Sequence, residues 1–355
     1  MILRRRFGQG GTPDRAVAFP SRIPWIQGGL LGVLPVLFLI GSLLQAQSDI
    51  RVDAAYIKVP VTVLDQNGRG VVGLRASDFR VFDEGEERPI ANFILDQEQV
   101  NVVFLLDTSG SVKEELDQIR YATLRFAQHF SHDDRISVVS FSDEITTLQD
   151  WTNNLGHLRK SLHKLKAGYK TALYDALITT ARQKLSRVSG RRVIILLTDG
   201  LDNWSDSTYD EAMNEMTRLN VVLYIVSRSR LVRTKVEQSE RVEFLDRVMK
   251  NVLDDDVSFV DIYFKEKEVA LNHLAEVNAG RVFYPDKLAA LGQTYVRIAE
   301  ELKMQYLLTF SPAAADATGP AFRRIRVQCL RDVGQVFNRK LYRAHPESSP
   351  TESRD

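Results

Sequence analysis

The chain has 355 residues, which is enough for about two domains. Its 47 Lys and Arg residues nearly balance its 46 Asp and Glu residues, so the net charge of +1 gives no indication of a nucleic-acid partner. Hydrophobic residues make up 44% and charged residues 26%, a composition that excludes a disordered chain. The single cysteine, Cys329, excludes an intramolecular disulfide and a thiolate metal cluster. The six histidines are scattered and leave little room for a zinc site, so any bound metal must be held by oxygen ligands.

The first 48 residues have the layout of a targeting segment. Residues 23–48 carry no charge, and residues 1–22 carry five arginines against one aspartate. A basic flank, an apolar run and a polar stretch are typical of a secretory signal or an N-terminal membrane anchor. Leu44 suits cleavage after Ala46 poorly, so both alternatives stay open. We expect the rest of the chain to be secreted, periplasmic or anchored facing outward, with membrane contact only through this segment.

Two stretches read as short β-strands, one on each side of the central region. Residues 56–64 alternate around three valines and end in the hairpin signal Asp65-Gln66-Asn67-Gly68. Neither stretch has enough strands for a good core, and an isolated hairpin is marginal in water. We therefore predict that they form one small β-sandwich, built from residues 49–97 and 306–343, with a disordered tail at 344–355. Expected strands include residues 79–82, 306–310, 322–329 and 335–342, with an exit segment near Pro89 and Phe93.

The central residues 98–305 alternate between apolar runs and helical spacing. Residues 102–106 form a continuous apolar run, as expected for a strand buried on both faces, and residues 193–197 and 221–226 repeat the pattern. Helical spacing follows, for instance from Val112 to Phe130. This order predicts an α/β fold with a doubly wound, mostly parallel sheet and helices on both faces. Residues 229–264 form a charged insertion, expected to be partly helical.

Oxygen-bearing side chains follow these strands in a set order. Because the carboxyl ends of parallel strands converge at the switch point of such a sheet, we expect these side chains to lie close together. Mg²⁺ prefers carboxylate and hydroxyl oxygens at about 2.1 Å. Asp107 supplies the main charge of the predicted site, and Asp199 binds directly or through water. The predicted metal ligands are Asp107, Ser109, Ser111, Thr171 and Asp199.

The motif Asp107-Thr108-Ser109-Gly110-Ser111 resembles the metal-ion-dependent adhesion site of von Willebrand factor type A domains. Thr171 and Asp199 match the second and third elements of that site, and the resemblance covers roughly residues 100–305. The flanks resemble the acidobacterial-type VWFA-related family, through Val59-Pro60-Val61-Thr62-Val63, residues 74–82 and Tyr306-Leu307-Leu308. The resemblance implies a bacterial adhesion module with bound Mg²⁺, or Mn²⁺ or Ca²⁺. Its open coordination position would take an acidic side chain of a protein partner.

The same residues also allow other roles. Ser109, Ser111 and Thr171 could each cap a helix, and the aspartates could be ordinary loop residues, but their order together favours a metal site. An enzyme using Asp107 as nucleophile or metal-bound base in phosphoryl transfer is disfavoured. A haloacid-dehalogenase-like enzyme would have an aspartate where Ser109 stands, and no general acid or base is evident. We therefore expect no catalytic residues. A structural envelope subunit with the metal as a folding staple remains an alternative.

Three further charged groups are interpreted without a binding role. Asp202, Asp206 and Asp210 are read as solvated loop and helix-cap residues rather than the rim of the site. Asp254-Asp255-Asp256 does not begin an EF-hand, because Lys265 occupies the position of the bidentate glutamate. The basic tail is interpreted as a solvated strand face rather than an anion site. Its cations are Arg323, Arg324, Arg326, Arg331, Arg339, Lys340 and Arg343.

Overall fold

The computed structural model describes residues 56–112, 115–237, 259–313 and 321–344, apart from a few side chains in these ranges, including that of Ser111. The predicted targeting segment, most of the 229–264 insertion and nearly all of the predicted disordered tail lie outside the described residues. In the part of the chain that is described, every helix is too short or too polar to cross a membrane.

The strands and helices are numbered in chain order. The N-terminal flank contains β1 Ile57–Leu64, β2 Phe79–Asp83, β3 Glu86–Arg88 and β4 Ile90–Leu95. The central region contains β5 Val100–Asp107, α1 Leu116–Ala127, β6 Arg135–Phe141, β7 Ile145–Thr152, α2 Leu155–Leu162, α3 Leu173–Thr180, β8 Arg191–Thr198, α4 Tyr209–Arg218, β9 Val222–Ser227, α5 Ser229–Glu237, α6 Phe259–Val277, β10 Val282–Phe283 and α7 Leu291–Lys303. The C-terminal flank contains β11 Tyr306–Phe310, β12 Phe322–Cys329, β13 Gln335–Asn338 and β14 Leu341–Arg343.

The central sheet has the strand order β10-β9-β8-β5-β6-β7. All neighbours are parallel except β7, which pairs antiparallel with β6. The chain runs outward from β5 through β6 to β7, then returns to β8 on the other side of β5. The switch point therefore lies between β5 and β8, where open α/β sheets bind ligands outside the carboxyl ends of the strands.

Every residue of β5 is buried, because helices cover both faces of this sheet. Val102, Phe104 and Leu106 point to one face, where they share a core with side chains of α1, α2 and α7. Val103 and Leu105 point to the other, where they share a core with side chains of α3, α4 and α6. The predicted doubly wound, mostly parallel α/β fold is confirmed.

The flanking strands form two antiparallel four-stranded sheets. Their orders are β13-β1-β11-β4 and β14-β12-β2-β3, so each sheet mixes strands from both ends of the chain. In the first, Val59 pairs with Leu308, and in the second, Val81 pairs with Val327. All four side chains belong to one buried cluster. Strands from the two flanks thus share one core, as the predicted fold class requires.

Two details of the flanks differ from the sequence predictions. The segment expected to be an exit is strand β4, which pairs with β11 and packs Phe93 against Tyr306. Residues 335–342, expected as one strand, are two strands in different sheets. The break falls at Arg339, which is buried, and at Lys340, whose N–H donates to the carbonyl of Val277. Contacts with the α/β region therefore decide where β13 ends.

Arg191, the first residue of β8, joins the entry and the exit of the α/β region. Its Nε lies 3.3 Å from Oδ2 of Asp96, just after β4. Its Nη1 donates to the carbonyl of Leu302 at 2.7 Å, and its Nη2 donates to Oε1 of Gln305 at 2.7 Å. Asp96 lies where the chain enters the central region and Gln305 lies where it leaves. One buried guanidinium therefore joins the entry and the exit of that region.

Candidate metal centre

Asp107, the last residue of β5, is fully buried, and hydrogen bonds orient both of its carboxylate oxygens. Its Oδ1 accepts the N–H of Ser109 at 3.0 Å, and its Oδ2 accepts the hydroxyl of Thr198 at 2.8 Å. Thr198 ends β8, so the second bond joins the ends of the two strands that border the switch point. The predicted main ligand is therefore held where the fold places ligands.

The loop after β5 is fixed to two other loops at the same edge. The N–H and the hydroxyl of Thr108 both donate to the carbonyl of Phe141, at 2.8 and 3.1 Å. The carbonyl of Thr108 accepts the N–H of Gly168 at 2.7 Å. A side chain at position 168 would collide with Ser142, so glycine permits this close approach.

Thr171 is buried and bound to the loop that follows Asp199. Its N–H donates to Oδ1 of Asn203 at 2.9 Å, and its carbonyl accepts the N–H groups of Asn203 and Trp204. Thr171 does not cap a helix, because α3 begins at Leu173 with Ala172 at the N-cap position. The alternative role of Thr171 as a helix cap is therefore wrong.

Asp199 directly follows β8 and is also buried. Its Oδ1 accepts the N–H of Leu201 at 3.1 Å. Its Oδ2 lies 3.8 Å from Nη2 of Arg228, a fully buried guanidinium whose Nη1 donates to Oε2 of Glu115 at 2.9 Å. Neither Arg228 nor Glu115 is predicted from the sequence, because neither belongs to a recognisable motif. The only available signal was the position of Arg228 directly after the apolar run of β9.

The other two predicted ligands, Ser109 and Ser111, follow β5 in the same loop as each other. Ser109 is buried, and its backbone carbonyl accepts the N–H of Val112 within a 3₁₀ turn. The side chain of Ser111 lies outside the described residues. The structure therefore brings the loops of Asp107, Thr171 and Asp199 together by direct hydrogen bonds, and Ser109 adjoins Asp107.

The donor set suits a hard divalent cation. Two buried carboxylates and nearby hydroxyls are oxygen ligands of the kind that Mg²⁺ and Ca²⁺ prefer. Across the described residues, no group of three or more His, Cys, Asp or Glu side chains is arranged to hold a metal. The carboxylates among the predicted ligands are those of Asp107 and Asp199, and the hydroxyls are those of Ser109, Ser111 and Thr171.

Large exposed side chains surround the candidate ligands. Tyr169 is 91% exposed and Trp204 is 51% exposed, and Nζ of Lys170 lies 2.6 Å from the centre of the Trp204 ring. A cavity of about 660 Å³ opens beside Thr108 and Tyr169. It also contacts Asp143, whose pKa is lowered mainly by the hydrogen bond from the Tyr169 N–H. This surface combines aromatic, cationic and anionic groups beside Thr108 and Thr171.

The acidic residues after Asp199 have structural roles. Oδ1 of Asp202 accepts the N–H of Leu173 at 2.8 Å and the hydroxyl of Ser205, so it caps the start of α3. Asp206 donates its N–H to Asp175, and Asp210 is exposed in the first turn of α4. These contacts agree with their interpretation as loop and cap residues.

Residues 102–201 match the family model of the von Willebrand factor type A domain, and this range includes Asp107, Ser109, Thr171 and Asp199. The chain contains a von Willebrand factor type A domain. Domains of this family generally mediate protein–protein interactions. No curated protein matches the chain.

Several solved structures are similar to part of this chain. Proximal thread matrix protein 1 from the mussel byssus is 14% identical, with a TM-score of 0.44, over 61% of this chain and 49% of that chain. The present chain thus spans about half the length of the mussel protein. BatB from Bacteroides thetaiotaomicron is 13% identical, with a TM-score of 0.39, over 57% of this chain and 99% of that chain. The von Willebrand factor domain of the type V pili tip protein Mfa5 from Porphyromonas gingivalis is 25% identical, with a TM-score of 0.28, over 30% of this chain and 39% of that chain.

Proposed function

We propose that this protein is an extracytoplasmic, metal-dependent protein-binding module. One observation carries the proposal: hydrogen bonds join the loops of Asp107, Thr171 and Asp199 at the switch point between β5 and β8. Buried carboxylates at the ends of two adjacent parallel strands repel each other, and a bound divalent cation would offset this repulsion. The family match supports a role in protein interaction.

The residues that would hold the cation are Asp107, Ser109, Ser111, Thr171 and Asp199. Mg²⁺ is the proposed ion, with Mn²⁺ and Ca²⁺ as alternatives. When bound, the cation would supply a positively charged coordination position that a carboxylate of a protein partner can occupy. The chain's own contribution is to fix Asp107 through Ser109 and Thr198, and to fix the backbone of Thr171 through Asn203.

The exposed residues around the site would contact the rest of the partner. Tyr169 and Trp204 are aromatic groups of the type that dominates interface energetics, and Lys170 adds a positive charge. The backbone N–H of Trp204 donates to the carbonyl of Thr171 at 3.1 Å, so the position of Trp204 depends on the same loop as the proposed ligands. The partner would therefore bind both the cation and this aromatic rim.

We propose a binding module that has no catalytic activity and no nucleic-acid partner. Ser109 occupies the position at which a haloacid-dehalogenase-like phosphotransferase would have its second aspartate. The extracytoplasmic location rests on the charge and apolar pattern of residues 1–48.

The test combines metal titration with capture of partners. Isothermal titration should detect Mg²⁺ binding by the wild-type protein and none by Asp107→Ala, with Ser109→Ala weakened less. Asp117→Ala, which removes an exposed carboxylate on α1, is the matched control and should bind like wild type. Unchanged Mg²⁺ affinity in Asp107→Ala would exclude the site.

A pull-down from the envelope fraction of the source organism then tests the role of the metal. Partners captured with Mg²⁺ should be lost in chelator and in Asp107→Ala, and retained by Asp117→Ala. Partners that remain bound in chelator, although the protein binds Mg²⁺, would favour the structural-subunit alternative.

A further inference from the structure

Arg339 is a buried cation without a carboxylate partner among the residues that the structure describes. It lies between β13 and β14, is 6% exposed, and donates from Nη1 to Oδ1 of Asn220. No Asp or Glu in the described ranges lies within 4.0 Å of its guanidinium. Burial lowers the pKa of Arg339 to about 10, so it remains positively charged at neutral pH. The expectation of a solvated face was therefore wrong for this residue, although Arg324 and Arg326 are exposed.

Arg339 lines a cavity of about 270 Å³ at the junction of the flanking sheets and the α/β region. Asn220, Arg192 and Lys58 line the same cavity. A neighbouring cavity of about 440 Å³ shares Lys58, Asn220 and Arg339. The two spaces therefore meet at the Arg339 side chain.

Arg192 gives this cavity a second guanidinium that has no carboxylate partner among the described residues. It donates to the carbonyl of Val188 at 3.3 and 3.0 Å and to the carbonyl of Leu219 at 2.9 Å. Its pKa is lowered, first by burial and then by the positive charge of Arg218. Other charges in the cavity are paired: Lys58 with Glu98 at 2.8 Å, and Arg191 with Asp96.

An uncompensated buried cation is expensive in free energy. Carbonyl acceptors satisfy N–H groups but supply only part of the opposing charge, so a buried guanidinium without an anionic partner keeps much of its desolvation penalty. A guanidinium that faces a solvent-accessible cavity can recover this energy by binding an external anion in a bidentate manner.

We propose that this cavity binds an oxyanion group, such as a phosphate, sulfate or carboxylate, with Arg339 as its charged anchor. Arg192 adds positive charge, Lys58 contributes a cation that Glu98 partly offsets, and the neighbouring cavity gives room for the rest of a larger anionic molecule. The site lies at the start of β8, whereas Asp199 follows the end of that strand. It is therefore separate from the proposed metal centre.

The experiment measures anion binding to the full chain after divalent cations have been removed on an immobilised chelating resin, so that the metal centre does not contribute and no soluble carboxylate chelator competes for the site. Inorganic phosphate, sulfate and acetate are titrated at an ionic strength held constant with NaCl, by calorimetry and by thermal unfolding. We expect at least one oxyanion to bind and to raise Tm above the NaCl baseline. Arg339→Gln should weaken that binding about tenfold or more, because it removes the bidentate cation. Arg125→Gln, an exposed arginine on α1, should bind like wild type.

Lys58→Gln keeps the test decisive if Arg339→Gln does not fold, because the Lys58 side chain is exposed. It should fold normally and weaken oxyanion binding about two- to fivefold. Glucose 6-phosphate is compared with inorganic phosphate. If the site takes a phosphate group on a larger molecule, glucose 6-phosphate should bind more tightly, because only its sugar can occupy the neighbouring cavity. Absence of any oxyanion effect in wild type, or wild-type binding in both Arg339→Gln and Lys58→Gln, would overturn the proposal.

Discussion

The hydroxyl of Thr198 donates a 2.8 Å hydrogen bond to Oδ2 of Asp107, across the ends of two neighbouring strands. This bond fixes the direction of a carboxylate that we propose as the main metal ligand. Thr198→Val removes the donor and keeps the branched shape. We expect Mg²⁺ affinity to fall about five- to tenfold, which corresponds to about 1 kcal/mol for one hydrogen bond to a charged group.

Thr180→Val is the matched control for this prediction. Thr180 is equally buried, and its Oγ1 has no hydrogen-bond partner among the described residues. Its replacement should leave Mg²⁺ affinity unchanged in the same calorimetric titration. If both variants bind like wild type, the Thr198 hydroxyl does not orient the ligand.

Arg228 is expected to stabilise the fold and to oppose metal binding at once. Arg228→Met leaves the buried carboxylates of Glu115 and Asp199 without its charge, and loss of one partner from a buried ion pair costs about 3–5 kcal/mol. The free energy of unfolding in chelator, measured with urea, should fall by about this amount. Without the guanidinium near Asp199, Mg²⁺ should then raise the Tm of the variant more than that of wild type.

The pair can be isolated by a double-mutant cycle. Glu115→Leu combined with Arg228→Met removes both charges, so the double variant should be more stable than Arg228→Met alone. Equal Mg²⁺ effects on Tm in wild type and Arg228→Met would show that Arg228 does not influence the metal centre.

Thr171 should matter more for the partner than for the bare metal. Its carbonyl and N–H already bind the loop after Asp199, so its hydroxyl is the group that remains for the proposed coordination shell. Thr171→Ala should therefore reduce partner capture more than Mg²⁺ affinity, whereas Thr171→Ser should retain much of both. Equal losses of metal and partner binding in Thr171→Ala would indicate a purely structural role.

The sequence was sufficient for features that depend on local pattern. Apolar runs such as residues 102–106 predicted strands buried on both faces, and the residues after them predicted which loops meet. It failed where distant segments decide the structure. Strand β4 exists because β11 pairs with it, and β13 ends where Lys340 binds the carbonyl of Val277.

Buried charges were the other feature that the sequence could not predict. Arg228 and Arg339 stand among polar residues, and apart from the apolar run before Arg228 the sequence gives no sign of their burial. Their burial results from packing between elements that are far apart along the chain. Periodicity can place a residue on a face of its own element, but it cannot show what covers that face.

Glu215 should make stability depend on pH. Burial alone would raise its pKa, but hydrogen bonds and charge from Arg218 and Arg182 outweigh burial and lower it. A lowered pKa in the folded state stabilises the protein above the unfolded pKa, and this contribution is lost as pH falls through the folded pKa. Glu215→Gln should therefore lower Tm near neutral pH, with a loss of about 1–2 kcal/mol, and differ little from wild type near pH 3.

Glu300→Gln serves as the control, because Glu300 is exposed on α7. Its unfolding curve should follow that of wild type across the range from pH 3 to 7. A Glu215→Gln variant whose deficit stays constant over this range would contradict the assigned ion pairs.

The flanking strands should be unable to fold without one another. Val59 and Val81 come from the N-terminal flank and Leu308 and Val327 from the C-terminal flank, yet all four lie in one buried cluster. A fragment of residues 49–97 would expose its half of that cluster and should be unfolded, because its strands bury too little apolar surface alone. A cooperative thermal transition of this fragment would falsify the shared core.

A fragment of residues 98–305 should fold alone and bind Mg²⁺, because both cores of the α/β sheet lie within it. It retains Gln305 and Leu302 as acceptors for Arg191 but lacks the carboxylate of Asp96. Extension to residues 96–305 restores that ion pair, so the longer fragment should be more stable by about 1–3 kcal/mol in urea unfolding. Asp96→Asn in the longer fragment should remove most of this gain. Mg²⁺ affinity should be the same in all three fragments, because Arg191 begins β8 and Asp199 follows the opposite end of that strand. A 98–305 fragment that does not fold would instead show that the α/β region depends on the flanking sheets.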